Sequence, residues 1–113
     1  MDIKIKLTEE QVRDIVIGAL ESAIGYWGGT DNTKEPWKAY KVADLSLGEK
    51  AYQILKGGDV VAIYDIEEGD EWFINLERLQ KGIEKQGVHP DYMDDNDYDA
   101  IIQYALFDEI VFG

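Results

Sequence analysis

The segment from Tyr98 to Gly113, YDAIIQYALFDEIVFG, constrains the fold more than any other. At 3.6 residues per turn, Tyr98, Ile101, Ile102, Ala105 and Leu106 fall on one face, and Ala100, Tyr104, Phe107 and Val111 form a second apolar stripe beside it. A helix apolar on two sides has to be covered on two sides. The sequence therefore predicts a buried central helix near the C-terminus, with Ile102 and Leu106 inaccessible to water. Gln103, Asp108 and Glu109 form its polar edge. Ile110, Val111 and Phe112 follow as an apolar tail expected to dock on a sheet or on a second copy of the chain.

The preceding segments have to supply the covering surfaces. Ile3, Ile5 and Leu7 alternate with charged or polar neighbours, the period of an edge strand. Thr8 and Gln11 have capping-box spacing, and Leu7 can staple onto Val12. Val12, Val16, Ala19, Leu20, Ala23, Ile24 and Trp27 then continue one helical face, which Gly25 and the pair Gly28 and Gly29 are expected to close. The stretch from Gly28 to Pro36 has loop composition, and Trp37 to Asp44 reads as a strand. Ser46 and Glu49 open a short helix, Leu47 to Lys56, with Ala51, Ile54 and Leu55 inward and Gly57 as its left-handed stop.

A hairpin is predicted from Val60 to Ile66 and Glu71 to Ile74, with Gly69 at its tip. Asn75 should cap a helix from Leu76 to Gln86 that buries Leu76, Leu79 and Ile83, and Asp97 or a neighbour should cap the last helix. The implied class is α+β, one domain over residues 1–113. Its sheet is three- to four-stranded and mainly antiparallel, with helices mainly on one face and a buried C-terminal helix.

Charge is unevenly distributed. Residues 1–57 carry eight Lys/Arg and nine Asp/Glu, whereas residues 58–113 carry three and fifteen, giving −1 and −12 of the net −13. A field of that sign repels phosphate backbones, which excludes direct nucleic-acid binding as an expectation, and it attracts a basic groove on another protein. With no cysteine and no apolar run of membrane-spanning length, the chain reads as soluble and cytoplasmic.

Catalytic signals are weak. Asp95, Asp97 and Asp99 occupy alternate positions like the first ligands of a calcium loop, but Ala100 and Leu106 stand where that loop needs glycine and glutamate. Asp65 with Glu71, and Asp108 beside Glu109, are carboxylate pairs without a sign of the burial that acid-base chemistry needs. His89 is a lone loop histidine, and Ser22 and Ser46 lack a nucleophile's context. No enzymatic activity, cofactor or resident metal is expected.

The stretch from Ala19 through Glu21 and Ile24 to Trp27, and the ending from Gln103 to Gly113, resemble a family of small acidic proteins encoded in phages and prophages of Gram-positive bacteria. Members of that family often carry glycine where this chain has Asp108. The resemblance implies a phage accessory protein, a class that often blocks host defence. On that basis the first functional reading is an anti-CRISPR-like inhibitor. Its Glu67, Glu68, Asp70, Glu71, Asp91, Asp94, Asp95 and Asp97 would occupy the basic nucleic-acid groove of a host defence effector. A second reading is a nucleotide-signal binder in which Tyr26, Trp27 and Trp37 stack on a base and Lys34, Lys38 and Lys41 meet phosphate. A third is a structural or regulatory phage protein that self-associates through its apolar tail.

Overall fold

The computed structural model describes residues 7–31, 33–39 and 45–113. The strand expected from Ile3, and the Tyr40 to Asp44 part of the strand expected from Trp37, lie outside the described residues. Trp37–Ala39 itself forms a 3-10 turn.

Helix α1 (Glu9–Gly18) starts at the expected capping box: the Gln11 amide donates to the Thr8 hydroxyl at 3.1 Å and the Gln11 side chain accepts from the Thr8 amide at 2.9 Å. It runs on as a π turn over Ala19–Ala23, closed by the Ile24 amide donating to the Ala19 carbonyl. Gly18 immediately precedes this turn, and a Cβ there would strike the Tyr98 ring. Through this turn Val16, Ala19, Ala23, Ile24 and Trp27 stay buried, joined by Ile15, while Val12 and Leu20 are only partly buried.

The pair expected to end the helix is instead strand β1 (Gly28–Gly29), antiparallel to β2 (Val61–Asp65), which pairs in turn with β3 (Glu71–Ile74). Glycine is required here by close approach. Gly28 sits against Ile24 and Ile63 on one side of the sheet, and the Tyr64 ring lies over Gly29 on the other, where a Cβ would come within 2.9 Å of it. Register pairs Val61 with Ile74 and Ile63 with Trp72 on the helix-covered face, and Ala62 with Phe73 and Tyr64 with Glu71 on the opposite face.

Helix α2 (Leu47–Lys56) buries Ala51, Ile54 and Leu55 as expected, together with Tyr52. Its first turn is anchored to α1's continuation. The Ser46 hydroxyl donates to Glu21 Oε2 at 2.7 Å, and the same oxygen accepts from the Gly48 amide at 2.8 Å. The left-handed residue after α2 is Gly58, with φ of 88°, rather than Gly57.

Helix α3 (Leu76–Gln86) is capped by Asn75, stopped by left-handed Gly87, and buries Leu79 and Ile83. Leu76, expected inward, is exposed, which corrects that expectation. Helix α4 (Asp95–Phe107) packs along α3 most closely at Gly82, where a Cβ would collide with the Ile101 carbonyl oxygen and crowd Ala105. Ile101 and Ile102 are fully buried, but Leu106 is only half-buried, which corrects the expectation that water cannot reach it. The fold is α+β: a three-stranded antiparallel sheet in the order β1-β2-β3, helices on one face, and a C-terminal helix buried through its middle turn. Among the described residues no helix is long and apolar enough to cross a membrane.

Candidate functional site

The hairpin tip displays carboxylates on a turn whose shape is fixed from within. Asp65 is buried, and its Oδ1 accepts from the Glu67 and Glu68 amides at 2.8 and 3.2 Å. Gly69 supplies the positive φ of 77° that the reversal needs, and the Ile66 amide ties the tip back to the Trp27 carbonyl at 3.1 Å. Asp65 is therefore committed to the turn and does not form an acid-base pair with Glu71. Glu67, Glu68, Asp70 and Glu71 are all exposed, and none of their carboxylates makes a hydrogen bond or ion pair among the described residues.

The aspartate-rich segment is built differently. Asp94, not Asp97, is the N-cap of α4, and the two form a capping box in which each side chain accepts the other's backbone N–H. Those contacts, with a 2.7 Å hydrogen bond from the Gln86 amide group, hold the Asp97 carboxyl below its usual range. Asp95 accepts from the Ser22 hydroxyl at 3.0 Å. Asp91 lies beside His89, whose Nδ1 accepts the Asp91 amide at 3.2 Å in a short 3-10 turn over Pro90–Tyr92. Asp95, Asp97 and Asp99 thus serve three separate sets of partners. Among the described residues no group of three or more His, Asp or Glu side chains is placed to hold a metal ion.

The aromatics fall into separate groups. Trp27, Trp72, Phe107 and Phe112 form a cluster on the helix side, with Trp27 and Phe112 stacked at 4.6 Å and Trp72 edge-on to Phe107 at 4.8 Å. The tail docks within the chain through Phe112, while Ile110 and Val111 stay exposed. Gln103 fastens it. This side chain is buried rather than on a polar edge; its Oε1 accepts from the Val111 and Phe112 amides at 2.8 and 2.7 Å, and its Nε2 donates to the Phe112 carbonyl at 3.0 Å and to Asp99 at 2.9 Å. Asp99 also accepts from the Trp27 indole at 2.8 Å and from the Tyr26 hydroxyl. Tyr26 is half-exposed, but desolvation at its hydroxyl, then the hydrogen bond to Asp99 and its charge, push the phenol up to about 12.

Trp37 belongs to the buried core and also lines a groove. It is buried at the base of a groove of about 460 Å³ between the 30–37 loop and the open face of β2 and β3. Tyr26, Trp27 and Trp37 therefore do not share a stacking surface: Trp27 is 3% exposed with its ring packed against other rings, and of the described candidate residues Trp37 and Lys34 line the groove, Lys41 lying outside the described residues. Tyr64 and Phe73, which line this groove, carry no motif of their own in the sequence. The outward half of the hairpin's alternation was the signal that could have found them. No protein-family model, curated protein or solved structure matches the chain.

Proposed function

We propose that the chain is a non-enzymatic protein-binding module whose acidic hairpin tip enters a basic, nucleic-acid-binding groove of another protein, its carboxylates standing where phosphates would lie. One observation carries this reading. Four carboxylates within five consecutive positions, Glu67 to Glu71, project from a turn fixed by Asp65 and Gly69, and none is neutralised by a neighbour. Asp91, Asp94, Asp95 and Asp97 add to the long-range field, but hydrogen bonds to the fold engage the last three, so the tip is the contact element. The resemblance to phage accessory proteins makes a host defence effector, such as a CRISPR effector, the partner of this reading. In this picture the protein works by occupancy alone, in the cytoplasm of the host cell.

The test is capture from a bacterial lysate on the immobilised chain, in parallel with the variant carrying Glu67→Gln, Glu68→Gln and Asp70→Asn. The expected result is a basic nucleic-acid-handling protein retained at low salt by the first and lost by the second. Elution should begin by about 0.3 M salt, because screening at that strength acts within the contact distance of surface charges. Recovery of the same proteins on both columns, or retention through high salt, would refute the phosphate-mimic mechanism.

A further inference from the structure

The groove behind the hairpin is open, aromatic and acidic at once. Tyr64 and Phe73 come from neighbouring strands on the same face and leave 36% and 50% of their surface to water. Among the described residues that line it are three carboxylates, Asp31, Glu35 and Glu71, and one ammonium, Lys34, which is 3.9 Å from Asp31. Hydrogen bonds from the Thr33 hydroxyl and amide hold the Asp31 carboxyl below its usual range, so it stays charged well into acid. A phosphate entering here would meet an excess of negative charge among the described lining residues, which argues against the nucleotide reading for this groove. A planar cation meets what it needs: π faces for stacking and carboxylates for paired hydrogen bonds. Guanidinium satisfies both better than ammonium, being flat, weakly hydrated and forked. The groove is also continuous with the tip, since Gly69 and Glu71 belong to both.

We propose that this groove is an arginine-anchoring site, in which a guanidinium on the basic protein partner stacks on Tyr64 and Phe73 and pairs with Glu71. This rests on the reading of the chain as a binder of basic proteins and adds the residue type that is gripped. The tip sets the encounter and the groove sets how long the complex lasts, because rim charges act mainly on association and desolvated contacts on dissociation.

The experiment uses the whole chain labelled with ¹⁵N and three probes: an acetylated, amidated tetra-arginine peptide, its tetra-lysine counterpart, and ATP. With tetra-arginine, the largest amide shifts are expected at Ala62, Tyr64, Glu71 and Phe73, and tetra-lysine should bind more weakly. Phe73→Leu keeps an apolar side chain but removes the π face, and should weaken tetra-arginine binding about threefold to fivefold, the scale of a partly exposed cation–π contact. Glu71→Gln, an exposed and nearly isosteric change, should weaken it independently. Shifts confined to the tip from Glu67 to Asp70, indifferent to Phe73→Leu and Glu71→Gln, would overturn the groove proposal and leave the acidic-tip reading intact. No shift with either peptide would overturn both, and groove shifts with ATP would overturn the assignment of a cation.

Discussion

Gln103 offers the sharpest test of the architecture, because one side chain joins helix, tail and aromatic cluster. Gln103→Ala removes four hydrogen bonds, each worth about 1 kcal/mol net. The loss is capped because the tail can undock and hydrate its own amides, leaving mainly the burial of Phe112 against Trp27 at stake. Truncating a fully buried phenylalanine costs about 3–5 kcal/mol, and Phe112 is half-buried, so Gln103→Ala should cost about 2–3 kcal/mol. Gln103→Glu is more discriminating. It keeps the two bonds accepted from Val111 and Phe112 but turns the donor atom into an acceptor facing Asp99 and the Phe112 carbonyl. Two carboxylates about 3 Å apart repel by about 5 kcal/mol at an effective dielectric of 20, whereas protonating a glutamate at pH 7 costs about 3.7 kcal/mol from its ordinary pKa. Protonation wins, so the penalty at pH 7 is set by proton uptake. At pH 5 that uptake costs about 1 kcal/mol, and the variant should recover most of the difference. The sign follows from a folded-state pKa raised above the unfolded one: stability is present at low pH and lost as pH rises. Urea titrations of wild type, Gln103→Ala and Gln103→Glu at pH 5 and 7 measure this directly. A cost below about 1 kcal/mol for the alanine variant, or a glutamate penalty equal at both pH values, would show that Gln103 does not hold the tail.

Other consequences follow from single contacts. Gly82→Ala should destabilise by about 1–2 kcal/mol in denaturant although alanine is the better helix former, because overpacking against the Ile101 carbonyl outweighs the propensity gain of about 1 kcal/mol. Asp108→Gly should be neutral or stabilising by up to about 1 kcal/mol: it relieves a left-handed φ of 61° and sacrifices only an exposed ion pair with Lys85. Spectrophotometric titration should find a tyrosine ionising near pH 12 that is absent in Tyr26→Phe. Its raised pKa means that the contribution to stability is complete below pH 10 and lost as pH rises through 12. Changing Glu67, Glu68 and Asp70 to amides should leave stability within about 0.5 kcal/mol per site while slowing association with a basic partner and flattening its salt dependence, as read by stopped-flow mixing.

The sequence signals that held are local ones. Thr8 with Gln11, Ser46, Asn75 and the turn at Gly69 each satisfy backbone groups within three or four residues, so their chemistry is written next to them. What failed depends on partners far along the chain. Gly28 and Gly29 look like a helix stop until Tyr64 and Ile63 are seen to need bare backbone there. Gln103 looks like a polar edge until the tail folds back eight and nine residues later to use it. Leu76 and Leu106 obey the helical period, but periodicity gives the direction of a face and not how far the neighbouring layer extends over it. The π turn at Ala19–Ala23 has no sequence mark of its own, and Gly18 just before it meets the Tyr98 ring eighty positions away.

The acidic residues of the second half divide into two populations, and the division bears on function. Asp65, Asp94, Asp97 and Asp99 accept N–H or O–H groups of the fold, so their charge is used in building it. Glu67, Glu68, Asp70 and Glu71 do nothing of the kind, and crowding them on one turn raises mutual repulsion within a screening length of about 8 Å. Charge that served only to keep a domain soluble would gain nothing from being concentrated, since the same four groups dispersed over the surface repel each other less. A fold that spends a buried aspartate and a left-handed glycine on holding such a turn rigid is displaying the charge in a fixed pattern. On the function proposed above, that fixed display is what a basic partner would read. On the proposal made above, the groove alongside, where the exposed Tyr64 and Phe73 rings stand with Glu35 and Glu71, would extend that pattern from one that attracts a cation to one that retains it.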